Sequence, residues 1–239
     1  MSVRWWNRYV GIAGILSVVL MVSAGVALNS LPSSARDAAK VAQVITNSRS
    51  SAAWGGFLLL IAMVPFVLFA MGVVDALSRD VAVSRILRRV AFGSAIVTVA
   101  LYATYQGAIG ALVSVSQSST AETVRAVYAI SGQIVTVGAL FLGLFVLTTS
   151  LLALGLGVLP RWVRWLGVVG GLTFMVAAID QQTSNDALGA LYPIGWYLSQ
   201  VWILVTGVSM FLGGVRAENS GDSPARTVGV SRPLEGAPG

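Results

Sequence analysis

The chain contains no cysteine and no histidine, a single lysine, and charged residues at only 10% of its 239 positions. Each of these shortages closes off some chemistry. Without thiols there are no disulfides, no thiolate metal sites, no iron–sulfur clusters and no cysteine nucleophile. Without imidazole, the usual haem and zinc ligand and the usual near-neutral proton carrier are missing too. The one lysine, Lys40, lies in a connecting segment, which excludes a retinal-type Schiff base on a helix. Ordinary globular chains carry about 25% charged residues, so this charge content is too low for a conventional water-facing surface.

What is present is apolar. Hydrophobic residues make up 56% of the chain, and a soluble fold would leave much of that exposed in large patches. A bilayer absorbs it, at about 20 apolar residues per spanning helix. The sequence therefore predicts an all-α, polytopic transmembrane helical bundle of about six helices within residues 1–214. The expected spans are 10–28, 53–77, 90–115, 120–157, 162–179 and 194–214. Residues 215–239, rich in Gly, Pro, Ser and charge, are expected to form a disordered cytoplasmic tail. The formal charge of +6 does not imply a nucleic-acid partner. The arginines form no long run and stand at helix ends, where they orient helices in the membrane.

The orientation follows from where they stand. With the N-terminus inside, the inner flanks hold Arg4, Arg8, Arg79, Arg85, Arg88, Arg89, Arg161 and Arg164, whereas the outer loops hold Arg36, Lys40, Arg49 and Arg125. The positive-inside rule places both termini in the cytoplasm. Arg4, Trp5 and Trp6, and then Arg161, Trp162, Arg164 and Trp165, are expected as interfacial anchors, with indoles half-buried and guanidinium groups reaching water.

Several local signals refine the bundle. Ser34-x-x-Asp37 followed by Val41, Val44 and Ile45 at helical spacing predicts a short amphipathic helix on the membrane surface, or alternatively a lid over a cavity. Pro65 falls within the second span and predicts a kink. Ala103, Gly107 and Ala111 recur every fourth residue in the third span and predict a close helix–helix seam. Ser119 and Glu122 read as a capping box opening a fourth helix of nearly forty residues. At 1.5 Å per residue this is about 55 Å long against a core of about 30 Å. It must either project beyond the membrane or break near Gly132 or Gly138.

Polar residues inside a membrane are the first candidates for function, because placing them there costs energy. Tyr102, Tyr105, Gln106, Gln133, Asp180 and Gln200 all fall toward the outer leaflet, with Tyr192, Trp196 and Tyr197 nearby. They outline a candidate cavity for a lipid headgroup or other amphiphile; the plainer alternative is an aromatic belt with interhelical hydrogen bonds. No embedded carboxylate pair, Ser/His dyad or metal motif occurs, so no catalytic residue, cofactor or metal is expected. The expected partners are membrane lipids, other membrane proteins or a second copy of the chain. The leading expectation is a non-enzymatic accessory or scaffold subunit of a membrane complex. A lipid or hydrophobic small-molecule binding or transport protein comes next, and a membrane enzyme with an unidentified catalytic group last.

The Gly-rich first helix after Arg8, the Asp37…Ser48-Arg49 stretch, Pro160-Arg161-Trp162…Gly167 and Trp202…Gly207 together resemble an uncharacterised bacterial family, domain of unknown function 4386. The resemblance covers the whole expected bundle without the tail. It implies a six-helix integral protein of a bacterial plasma membrane and carries no activity with it.

Overall fold

The computed structural model describes residues 3–31, 37–77, 82–116, 118–156, 159–183 and 191–213. Every regular element among them is an α-helix: α1 (Val3–Leu28), α2 (Ala38–Asn47), α3 (Arg49–Ala76), α4 (Ala82–Val115), α5 (Ala121–Leu156), α6 (Arg161–Thr183) and α7 (Leu191–Phe211). Five of these, α1, α3, α4, α5 and α7, are long and apolar enough to cross a membrane. The sixth expected span, α6, has the length at 23 residues. The tail from residue 215 onward lies outside the described residues.

The long helices run alternately up and down and close into a ring, α1–α3–α4–α5–α6–α7, with α7 returning to α1. We call the end where α1 begins proximal and the end that carries α2 distal. Side chains from three helices meet on the ring's axis. Phe66 of α3 stacks edge-on with Phe145 of α5 at 5.5 Å, and Phe145 does the same with Trp202 of α7 at 6.3 Å. All three are fully buried. Edge-to-face pairs of this kind contribute about 0.5–1.5 kcal/mol beyond their buried area.

In lipid there is little hydrophobic drive between helices, so close approach and dispersion hold them together, and small residues make the approach possible. The seams lie at glycines other than the expected ones. A Cβ on Gly11 would lie 2.5 Å from the Gly207 carbonyl oxygen and 2.6 Å from the Phe211 nitrogen, so α1 and α7 touch backbone to backbone. Gly143 and Gly171 do the same for α5 and α6, and Gly195 sits against the Phe174 backbone between α6 and α7. Gly72 receives Val10 and Gly14 receives the Phe69 ring, closing α1 on α3. By contrast, Gly107 and Ala111 are exposed and Ala103 is half-exposed. A Cβ on Gly107 would meet nothing within 4 Å. The expected stripe is therefore not a seam within this chain; it faces outward from α4, because Tyr102, Gln106 and Ile109 take the inward face of that helix.

Other expectations are corrected in detail. α5 is one unbroken helix of 36 residues, so Gly132 and Gly138 do not divide it; Gly138 instead makes room for the Tyr102 ring. Pro65 is buried within α3, which is continuous across it, so any bend there leaves the helix unbroken. α4 starts earlier than expected, drawing Arg85, Arg88 and Arg89 into its first turns. α5 is not opened by Ser119. Thr120 accepts the Thr123 N–H at 3.3 Å, while Glu122 pairs with Arg125 at 3.0 Å on the surface. For α2 the N-cap is Asp37, whose carboxylate accepts the Lys40 N–H at 3.1 Å; Ser34 lies outside the described residues. The buried face of α2 is Val41 and Ile45, packed on Ala52, Ile109, Leu112 and Val124. The helix thus covers the distal ends of α3, α4 and α5.

The anchors divide as well. Trp5, Trp162 and Trp165 are exposed at the proximal end and Trp6 is half-buried, as an aromatic belt requires. Arg161 is exposed. Arg164 turns inward and donates from Nη1 to the Leu154 carbonyl at 3.2 Å, satisfying one of the carbonyls left open at the end of α5. The Arg4 side chain lies outside those described.

Candidate functional site

Among the described residues the distal half of the ring does not close over its axis. A cavity of 430 Å³ opens there, walled by α1, α3, α4, α5 and α7. This falls within the range of about 300–1,000 Å³ typical of small-molecule sites. Its apolar floor and sides include Met21, Leu59 and Val135, and its described polar lining residues are Tyr102, Tyr105, Tyr192, Tyr197 and Asn29.

Each of these side chains is held by something specific. The Tyr102 ring packs on Gly138, with 3.2 Å between its Cε2 and the place a Cβ would occupy. Tyr192 and Trp196 are fixed from behind by Phe174 of α6, with ring centroids 5.2 Å and 6.2 Å away. Phe174 itself is fully buried, and the absence of a side chain at Gly195 brings α7 close enough for the contact. α6 therefore shapes the cavity while contributing no described lining residue.

The cavity also borders unsatisfied polar groups. Most buried hydroxyls in the bundle fold back onto their own helix: Ser17 donates to Gly14 at 2.8 Å, Thr98 to Ser94 at 2.8 Å and Thr149 to Phe145 at 2.6 Å. A short side chain can do this, but a phenol or a long amide cannot reach. The Tyr102 hydroxyl, 3% exposed as a residue, has no hydrogen-bond partner, and neither do the amides of Gln106 and Gln200. Tyr192 lies close enough to Tyr102 for their hydroxyls to interact, but no contact of full hydrogen-bond geometry reaches the Tyr102 oxygen. An unpaired buried polar group costs about 1–3 kcal/mol, so these groups are poised to gain from a partner.

The structure thus sorts the sequence candidates. Tyr102 and Tyr105 line the cavity. Gln106 is buried beside it, its Oε1 against Gly56 of α3, and Gln200 is buried on α7 one turn from Trp196; neither lines it. Gln133 is exposed on α5. The Asp180 side chain lies outside those described. Sequence reasoning missed the α1 contribution altogether, because Met21, Val22, Gly25 and Val26 read as ordinary spanning residues. It also missed the role of α6, since nothing in Phe174 alone announces that it backs two aromatic rings on the next helix.

No group of three or more metal-ligating side chains occurs among the described residues. Fold and site together define a polytopic helical membrane protein with a cavity at one end whose described lining is aromatic, aliphatic and uncharged. The family model for a domain of unknown function, DUF4386, matches residues 12–214, and the chain belongs to that family. No curated protein and no solved structure matches the chain.

Proposed function

We propose that this protein binds a lipid or another hydrophobic small molecule in its distal cavity, acting as a carrier or sensor rather than as an enzyme. The observation that carries the reading is the 430 Å³ chamber itself, in which tyrosines of α4 and α7 meet a largely aliphatic and aromatic lining. Such a chamber orients an amphiphile: apolar walls take the chain and a few convergent hydroxyls take the head. In the orientation that the arginines favour, the cavity belongs to the outer leaflet of a bacterial plasma membrane, with both termini in the cytoplasm. The test is purification in mild detergent followed by lipid extraction. One amphiphile class enriched well above its share of the source membrane is expected; a composition equal to the bulk membrane overturns the reading.

A second reading, an accessory subunit of a membrane complex, is favoured by one observation. The Ala103–Gly107–Ala111 face of α4 is unpartnered within the chain and smooth enough for another helix to approach. Cross-linking in native membranes would give a discrete larger species if it holds, and monomer alone if it does not.

A further inference from the structure

The geometry points to an uncharged amphiphile that enters this cavity sideways from the lipid, through a slot between the distal halves of α1 and α7. Its head seats among the lining tyrosines of α4 and α7, and its chain trails back into the bilayer. The inference rests on the binding reading above and adds to it a route and a headgroup class.

The route follows from which walls are exposed. α3, α4 and α5 contribute only buried or half-buried side chains to the lining, Leu59 and Tyr102 among them at 4% and 3% exposure. α1 and α7 contribute an inner row and an outer row. Val22 and Val26 on α1 and Pro193 and Tyr197 on α7 line the cavity and yet face outward, Val26 at 73% and Tyr197 at 62% exposure. The chamber therefore reaches the surface between these two helices.

The helices are shaped for this. Proximally they are pinned backbone to backbone at Gly11 and Gly207, whereas at Gly25 a Cβ would meet nothing within 4 Å. The rim follows α1 from Val22 to Asn29, about 10 Å along the axis at 1.5 Å per residue. Up to its last residue it is aliphatic, lying on a segment apolar enough to cross the bilayer. A mouth opening on water would be ringed by polar groups; this one matches lipid chains.

The headgroup class follows from charge. No acidic or basic side chain occurs among the described lining residues. A phosphate drawn into the chamber would lose its hydration with no cation among those residues to replace it. Phenols both donate and accept hydrogen bonds, which suits the hydroxyls and ester carbonyls of a glyceride or a long-chain alcohol.

The test places the full chain in nanodiscs with one of two photoreactive probes carrying the same diazirine-bearing chain, a monoacylglycerol or a lysophosphatidic acid. Labelled residues are located by mass spectrometry. Saturable labelling within 22–29 and 192–197 by the neutral probe is expected, weaker by about tenfold or more for the phosphate probe. Gly25→Trp, which fills the slot, should reduce labelling by a similar factor, while Gly107→Trp on the outer face of α4 should not. Val26→Trp, at a highly exposed rim position, gives the same test should Gly25→Trp melt early. Equal labelling by both probes overturns the headgroup assignment, and undiminished labelling in both slot variants overturns the route; either result leaves cavity binding standing. Absence of saturable labelling at any lining residue by either probe overturns the binding reading itself.

Discussion

Adding one methyl group to each of three glycines should produce three different outcomes, ranked by what that methyl would meet. At Gly11 it would lie 2.5 Å and 2.6 Å from backbone atoms of α7. Ordinary contact begins near 3.4 Å, so α1 and α7 must part by about 0.9 Å at a point where neither can rotate a side chain away. Overpacking of this kind costs about 1–3 kcal/mol, and helix propensity returns at most about 1 kcal/mol on replacing Gly by Ala. At Gly207 the nearest atoms are the Gly11 carbonyl at 3.0 Å and the Ile15 nitrogen at 3.3 Å, so a shift of a few tenths of an ångström suffices and the two terms nearly cancel. At Gly107 nothing lies within 4 Å, and only the propensity gain remains. Thermal or denaturant unfolding in one detergent should therefore rank Gly11→Ala lowest, Gly207→Ala near wild type and Gly107→Ala at or slightly above it. If Gly107→Ala were as damaging as Gly11→Ala, the assignment of seams in this bundle would be wrong.

Three further outcomes follow. Gln106→Leu and Gln200→Leu, which remove unpaired buried amides at nearly constant volume, should leave stability unchanged or raise it; a loss above about 1 kcal/mol in lipid-free protein would show that the amides have partners. Trp202→Ala should cost about 3–5 kcal/mol, because it empties the centre of the ring beside Phe145; unfolding in detergent measures it. Asp37→Ala should weaken α2 by about 1 kcal/mol through loss of its N-cap, and hydrogen exchange confined to residues 38–47 should rise while exchange in the long helices stays unchanged.

That the chain forms a bundle of long helices, five of them apolar enough to cross a membrane, was legible from hydropathy alone, since lipid tolerates little else over about 20 residues. Which face of each helix points inward was not. In a soluble protein polar residues mark the outside, but here α4 turns Tyr102 and Gln106 inward and its small Ala103–Gly107–Ala111 face outward, and that stripe signals close approach without saying to what. The true seams, Gly11 with Gly207 and Gly143 with Gly171, bring together residues far apart in sequence, and a single chain gives no register for such pairs. Site legibility followed the same division. Tyr102 and Tyr105 stood out because phenols are costly in lipid, whereas the α1 wall is aliphatic and the supporting Phe174 acts only through its neighbours. Gln133 falls on the exposed side of α5, whereas Gln200 is on the inward side of α7 but one turn beyond the lining residue Trp196, and position in a span fixes neither.

The central claim is that the distal chamber holds an amphiphile, and native mass spectrometry after extensive delipidation tests it most directly. Wild type should retain one additional mass of lipid size. Leu59→Phe and Val135→Phe, which fill the chamber from α3 and α5, should lose that mass while keeping the helical signal and melting behaviour of the parent. Bare wild-type protein, or filled variants that retain the mass in full, would contradict the account.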